Sequence, residues 1–150
     1  MYVNDKGWQI GRVDTRLLHH ISLTVRDLER SRRFYAGVLG LSEIARPPFP
    51  FAGAWFGIGG GQHLHLIESR DGTYRSNPRI DTRDVHFALR VSSFQQALEH
   101  LQEHGFREDA AAGDPAQMRV NRQATAGFPQ IYILDPDNHV IEINAERLDS

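Results

Sequence analysis

His20 opens the stretch Ile21-Ser22-Leu23-Thr24-Val25, and His86 opens a near copy, Phe87-Ala88-Leu89-Arg90-Val91. In each copy a helix-capping residue, Asp27 or Ser93, stands seven positions after the histidine. An imidazole at the same place in two repeats suggests one shared site rather than two unrelated side chains. Aligning the later hairpins by their turns adds a second matched pair: Trp55 falls on Tyr132, Leu66 on Ile143 and His65 on Glu142. Leu64 and Leu66 flank His65 while Ile141 and Ile143 flank Glu142, so strand alternation turns both polar groups away from the apolar face. The candidate metal ligands are therefore His20, His65, His86 and Glu142. Imidazole nitrogen with carboxylate oxygen suits one divalent first-row ion per site, Mn, Fe, Co, Ni or Zn. Four such donors leave two octahedral positions open; without His65 the remainder is a two-histidine, one-carboxylate triad.

Around these four stand residues able to move protons or hold a substrate. Glu142 or His65 could act as base next to a carbonyl, and Tyr132 could donate a hydrogen bond in the cleft or simply fill core. Trp55, Phe49, Phe51 and Phe56 could line a pocket. Arg46, Arg90 and Arg122 could meet a carboxylate or phosphate, and Arg90 has the better case because it shares the parity of His86. The other histidines have plainer expectations. His19 has the opposite parity, His63 sits at a hairpin mouth, His100 and His104 lie beside Glu99 and Glu103 on a solvated face, and His139 lies in an exposed turn. Arg26, Arg30, Arg32 and Arg33 read as the solvent side of the first helix.

The elements that must position these groups also repeat. Leu18 to Val25 alternates like a strand, and Leu28, Ser31, Tyr35, Val38 and Leu39 then recur at helical spacing from the Asp27 cap until Gly40. A turn-rich aromatic segment, Arg46 to Phe51, leads to strands around Ala54 to Ile58 and His63 to Glu68, joined as a hairpin through Gly59-Gly60-Gly61. Ser69 to Arg83 is polar and reads as a linker. The order then restarts with a strand over Val85 to Val91 and a helix over Phe94 to His104, stopped by Gly105. A loop at Ala110 to Pro115 follows, then strands Gln130 to Leu134 and His139 to Asn144 joined by Asp135-Pro136-Asp137-Asn138. The expectation is an α+β domain over residues 17–146 with an N-terminal extension at 1–16. Module one spans 17–68, the linker 69–83 and module two 84–146. Helices would cover one face of a mostly antiparallel sheet and leave the other to curve around a ligand.

Composition bounds the rest. With 150 residues, 40% apolar and 24% charged, the chain is expected to fold as one unit. A net charge of −2 implies no partner among nucleic acids or anionic membranes. The absence of cysteine excludes disulfides, thiolate nucleophiles and sulfur-bound zinc. Residues 1–16 lack a long apolar run, so neither signal peptide nor membrane anchor is expected there, and the cytoplasm is the expected location.

The leading histidine of each strand, Asp27-Leu28-Glu29-Arg30-Ser31, Phe34-Tyr35, Leu39-Gly40-Leu41, and Leu134-Asp135-Pro136-Asp137-Asn138 with Glu142 together resemble the vicinal oxygen chelate superfamily. That superfamily includes glyoxalase I, methylmalonyl-CoA epimerase, extradiol dioxygenases, fosfomycin-modifying thiol transferases and bleomycin-resistance proteins. The resemblance runs from about Leu17 to Glu146. It implies two βαβββ modules forming a cupped sheet, commonly in a homodimer, with His20, His65, His86 and Glu142 on the metal positions. His65 departs from the glutamate or glutamine usual in glyoxalase I. The implied activity is a metal-dependent enzyme that binds a small oxygen-chelating molecule and stabilises an oxyanion or enediolate, foremost a glyoxalase-type lyase or isomerase. A ring-cleaving dioxygenase on the triad and a thiol transferase to an epoxide are the alternatives of the same class. A non-catalytic drug- or metabolite-binding protein is the alternative of another.

Overall fold

A computed structural model describes residues 17–150; the expectations for the N-terminal extension lie outside them. The described chain forms two four-stranded sheets of the same construction. The first comprises β1 (His20–Val25), β2 (Ser42–Ile44), β3 (Gly53–Gly57) and β4 (His63–Glu68) in the order β1-β4-β3-β2. The second comprises β5 (His86–Val91), β6 (Arg119–Asn121), β7 (Gln130–Leu134) and β8 (Val140–Ala145) in the order β5-β8-β7-β6. In each sheet the opening strand lies parallel to the last strand of its module, and the remaining pairs are antiparallel. This is the α+β architecture of two βαβββ modules. The short β2 and β6 complete it; with only three residues each they offer too little alternation to stand out in the sequence.

The first helix departs from a single regular run. Asp27 caps α1 (Leu28–Arg32) by accepting from the Arg30 N–H at 2.9 Å, and the Glu68 carboxylate accepts from the Leu28 N–H at 2.9 Å. The chain then widens into π-helical winding over Arg33–Val38, with the Leu39 N–H reaching back to the Phe34 carbonyl. Gly40, at φ 67°, ends it. In the second module Ser93 caps α2 (Phe94–Glu103) in the same manner, accepting from the Gln96 N–H at 3.0 Å.

One core joins the modules. Val25, Leu28, Phe34, Tyr35, Phe56, Leu64 and Leu66 from the first pack with Phe94, Leu98, Leu101, Ile131, Ile133, Ile141 and Ile143 from the second. A polar clasp reinforces the junction. Asp137 is fully buried and accepts from the Arg26 backbone and guanidinium and from Arg30, each at 3.1 Å, while the buried Tyr35 hydroxyl donates to Asp135 at 2.8 Å. Arg26 and Arg30 are therefore not a plain solvent face as the helix pattern implied: their heads reach across to the β7–β8 turn. His139 is likewise not an exposed turn residue, because its Nδ1 stands 2.8 Å from Asp135 Oδ2 and its side chain is only 17% exposed. No helix among the described residues is long and apolar enough to cross a membrane.

Candidate metal centre

The registers place the site residues in rows across the sheet faces opposite the core. On the first sheet, Ser22, His65, Trp55 and Ile44 lie side by side, with His20, His63 and Gly57 in the row before. On the second, Ala88, Glu142, Tyr132 and Arg119 form one row, His86, Val140 and Leu134 the row before, and Arg90, Asn144, Gln130 and Asn121 the row after. Trp55 opposite His65 and Tyr132 opposite Glu142 reproduce the hairpin correspondence read from the turns.

The first pair is held by ring stacking. The His65 ring lies between Trp55, centroid 4.0 Å away and 6° from parallel, and His20, at 4.4 Å and 16°. His65 is buried, yet its Nε2 has no hydrogen-bond partner. Burial, then the nearby His20, His63, His19 and Arg46, push its pKa below the usual imidazole value, so the ring is neutral at neutral pH. His19 and His63 extend the array, with His19 Nδ1 2.9 Å from His20 Nδ1 and the His63 ring 5.8 Å from that of His65.

The second pair is held by hydrogen bonds. Glu142 accepts from the Tyr132 hydroxyl at 2.8 Å and from Asn144 Nδ2 at 2.6 Å. Burial acts to raise its pKa, but donation from Asn144, Tyr132 and Gln130, together with His86, outweighs it and holds the carboxyl below the ordinary range. Tyr132 is pushed up to about 12, by burial first and by Glu142 second, so it stays a proton donor at neutral pH. His86 Nδ1 lies 2.7 Å from the Asp84 carbonyl, which can only accept; Nδ1 therefore bears the proton. His86 Nε2, the ring's other nitrogen, stands 3.4 Å from Glu142 Oε2. In the neutral ring that nitrogen is a free electron-pair donor beside the carboxylate, and a cation would be held by both. This and the orphaned Nε2 of His65 fit a divalent ion on imidazole and carboxylate donors, with the Asp84 carbonyl and Asn144 orienting them from behind.

Within one chain these residues stay in two pairs. Among the described residues no three histidine, aspartate or glutamate side chains stand close enough to hold one ion. Other expected site residues divide similarly. Trp55 joins the His65 stack, but Phe56 is fully buried in the core, because adjacent strand residues face opposite ways. Arg122 has both terminal nitrogens on Glu108, at 2.8 and 3.0 Å, as a rim ion pair. Arg90 lies over the Phe128 ring at 4.8 Å and, among the described residues, meets no carboxylate. Phe49 and Phe51 stack on each other beside Trp55, with Arg46 over both rings. His100 and His104 stay exposed and bond backbone carbonyls. Asn144 and Gln130 were not singled out in the sequence, although each shares the parity of its neighbour in the Glu142 row, two residues away.

The family model described as the Glyoxalase/Bleomycin resistance protein/Dioxygenase superfamily matches residues 17–143. The chain belongs to this superfamily. The chain is 31% identical over 128 residues to Glyoxylase I 4 of Arabidopsis thaliana, covering 84% of this chain and 68% of that protein. It is 29% identical over 135 residues to lactoylglutathione lyase of Escherichia coli O157:H7, covering 88% and 93%. A solved glyoxalase/dioxygenase from Nostoc punctiforme superposes with a TM-score of 0.68 at 25% identity, over 91% of this chain and 98% of that one. The superfamily member thus keeps the family's two-module fold from β1 to β8.

Proposed function

We propose that this superfamily member is a glyoxalase-type lyase or isomerase that requires one divalent metal ion, held by His20, His86 and Glu142. The observation that carries the reading is His86 Nε2 facing the hydrogen-bonded Glu142 carboxylate at 3.4 Å. The names of the two curated relatives support it. When bound, the ion would supply Lewis acidity toward two adjacent substrate oxygens.

The chain's own residues divide the remaining work. Glu142, fixed as an anion by three donors, is a strong ligand and a weak base. His65 is neutral, buried and unpartnered at Nε2, so it is the better acceptor for the proton next to the substrate carbonyl, and it returns that proton to the neighbouring carbon. Tyr132 keeps its proton and holds the carboxylate in place.

Because the two pairs do not meet within one chain, a second copy completes the site in this reading, as a homodimer. Strands β1 and β5, which begin with His20 and His86, are both sheet edges in the single chain and are open to such pairing. The test uses untagged protein purified without chelator: metal analysis, sedimentation, and isomerisation of the hemithioacetal formed by an α-oxo aldehyde with glutathione. About one metal per site and turnover are expected; less than about a tenth of an equivalent overturns the metal reading. His65→Ala should retain metal while turnover falls about 100- to 10,000-fold. Loss of metal from that variant makes His65 a fourth ligand instead of the base.

A further inference from the structure

The row beyond Glu142 on the second sheet supports that carboxylate and still carries groups that the proposed chemistry leaves free. Arg90, Asn144, Gln130 and Asn121 are register partners on the face that bears His86 and Glu142. Asn144 is only 5% exposed; its Nδ2 is committed to Glu142, and its Oδ1 has no partner. A buried amide oxygen left without a donor is costly unless something supplies one. Arg90 stands next to it across the strand pair. The Arg90 guanidinium lies over the Phe128 ring at 4.8 Å, a contact that does not consume its hydrogen-bond donors, and no carboxylate among the described residues pairs with it. Arg122 makes the contrast: its fork is closed by Glu108. An arginine without a carboxylate, on the same face as the proposed ligands, is a place for an anion from outside the protein.

We infer that Arg90 is a specificity-determining residue that recognises a carboxylate on the substrate, with Asn144 Oδ1 accepting from an N–H or O–H lying between that carboxylate and the chelating oxygens. The inference rests on the metal-chelation reading above. Successive rows on one face of a strand are two residues, or roughly 7 Å, apart. The substrate class is therefore a small anionic molecule whose carboxylate is separated from its adjacent oxygens by a short chain, not a neutral oxo compound alone.

Two bidentate oxygen chelators of equal length test this without depending on turnover: glutaric acid monohydroxamate and pentanohydroxamate, titrated calorimetrically into the Zn²⁺-loaded protein. The carboxylated probe should bind about tenfold tighter, as one charge-assisted hydrogen bond implies. Arg90→Gln should erase that preference and leave the affinity for pentanohydroxamate unchanged, which also shows that the variant is folded. Arg90→Lys should keep part of it. Equal binding of both probes to the wild type, or a preference that survives Arg90→Gln, overturns the role of Arg90 while chelation stands. If neither hydroxamate binds, chelation has failed and the Arg90 assignment falls with it.

Discussion

His65 and Glu142 occupy the same position in two copies of one fold, each opposite an aromatic residue on the neighbouring strand, and the protein holds them by different physics. Trp55 meets His65 face to face and leaves its Nε2 without a hydrogen bond. Tyr132 meets Glu142 through its hydroxyl, and Asn144 fixes the other oxygen. Stacking orients a ring while leaving its nitrogen available, whereas hydrogen bonding orients a carboxylate by consuming its lone pairs and stabilising its charge. A duplicated scaffold has thus produced one group suited to moving a proton and one suited to staying an anion. The neighbouring row extends the contrast: Thr24, Ile67 and Gly53 on the first sheet, and Arg90, Asn144 and Gln130 on the second.

The largest expected break in this comparison comes from Glu142→Ala. It removes an anionic donor and strands the Tyr132 and Asn144 hydrogens that were aimed at it. Metal affinity should fall by more than the roughly 10- to 100-fold typical of changing a group behind a ligand, and turnover should disappear with it. Competition with a fluorescent chelator measures the first; unchanged metal affinity in that variant would remove Glu142 from the ligand set.

The supports of the two groups come next in size and can be set against each other. Tyr132→Phe deletes the hydroxyl donor but keeps the ring, so Glu142 becomes easier to protonate and metal affinity drops by about 10- to 100-fold. Trp55→Leu removes the stack without touching a hydrogen bond. It should lower kcat by about tenfold, by letting His65 leave its productive orientation, and should leave metal affinity close to that of the wild type. If both variants lower metal affinity alike, the two positions are equivalent ligands and the contrast between them disappears.

Most of this layout was legible in the sequence, because repetition and strand parity are local properties. The histidines, the hairpin match of Trp55 with Tyr132, and the caps at Asp27 and Ser93 all follow from spacing within a module. What could not be read depends on how the modules dock. Arg26 and Arg30 have the pattern of a solvated helix face, and their partner Asp137 lies more than a hundred positions away in a turn that any hairpin would carry. Phe56 differs for another reason: strand alternation turns it to the face opposite Trp55, into the core, whatever the aromatic content of its segment. Asn144 shares the parity of Glu142 two residues away, but a carboxamide at the end of a strand carries no sign in the sequence of the carboxylate that it bonds.

The smallest expected effect tests whether the second sheet's polar side is built for ligands throughout or only near Glu142. Arg122 and Glu108 pair at the rim, and hydrogen bonding from Arg122 outweighs burial to keep the Glu108 carboxyl below its ordinary value. A carboxyl whose folded-state pKa is depressed contributes stability above its unfolded pKa and loses that contribution as pH falls through the folded value. Arg122→Ala should therefore cost only about 0.2–1 kcal/mol at neutral pH, as an exposed ion pair does, and the difference from wild type should vanish on acidification. Hydroxamate affinity should be unaffected, which thermal and denaturant unfolding together with the same calorimetric titration would check. A marked loss of affinity for the carboxylated probe would extend anion recognition from Arg90 to the rim, and the contrast between the two sheets would then be one of whole surfaces instead of one row.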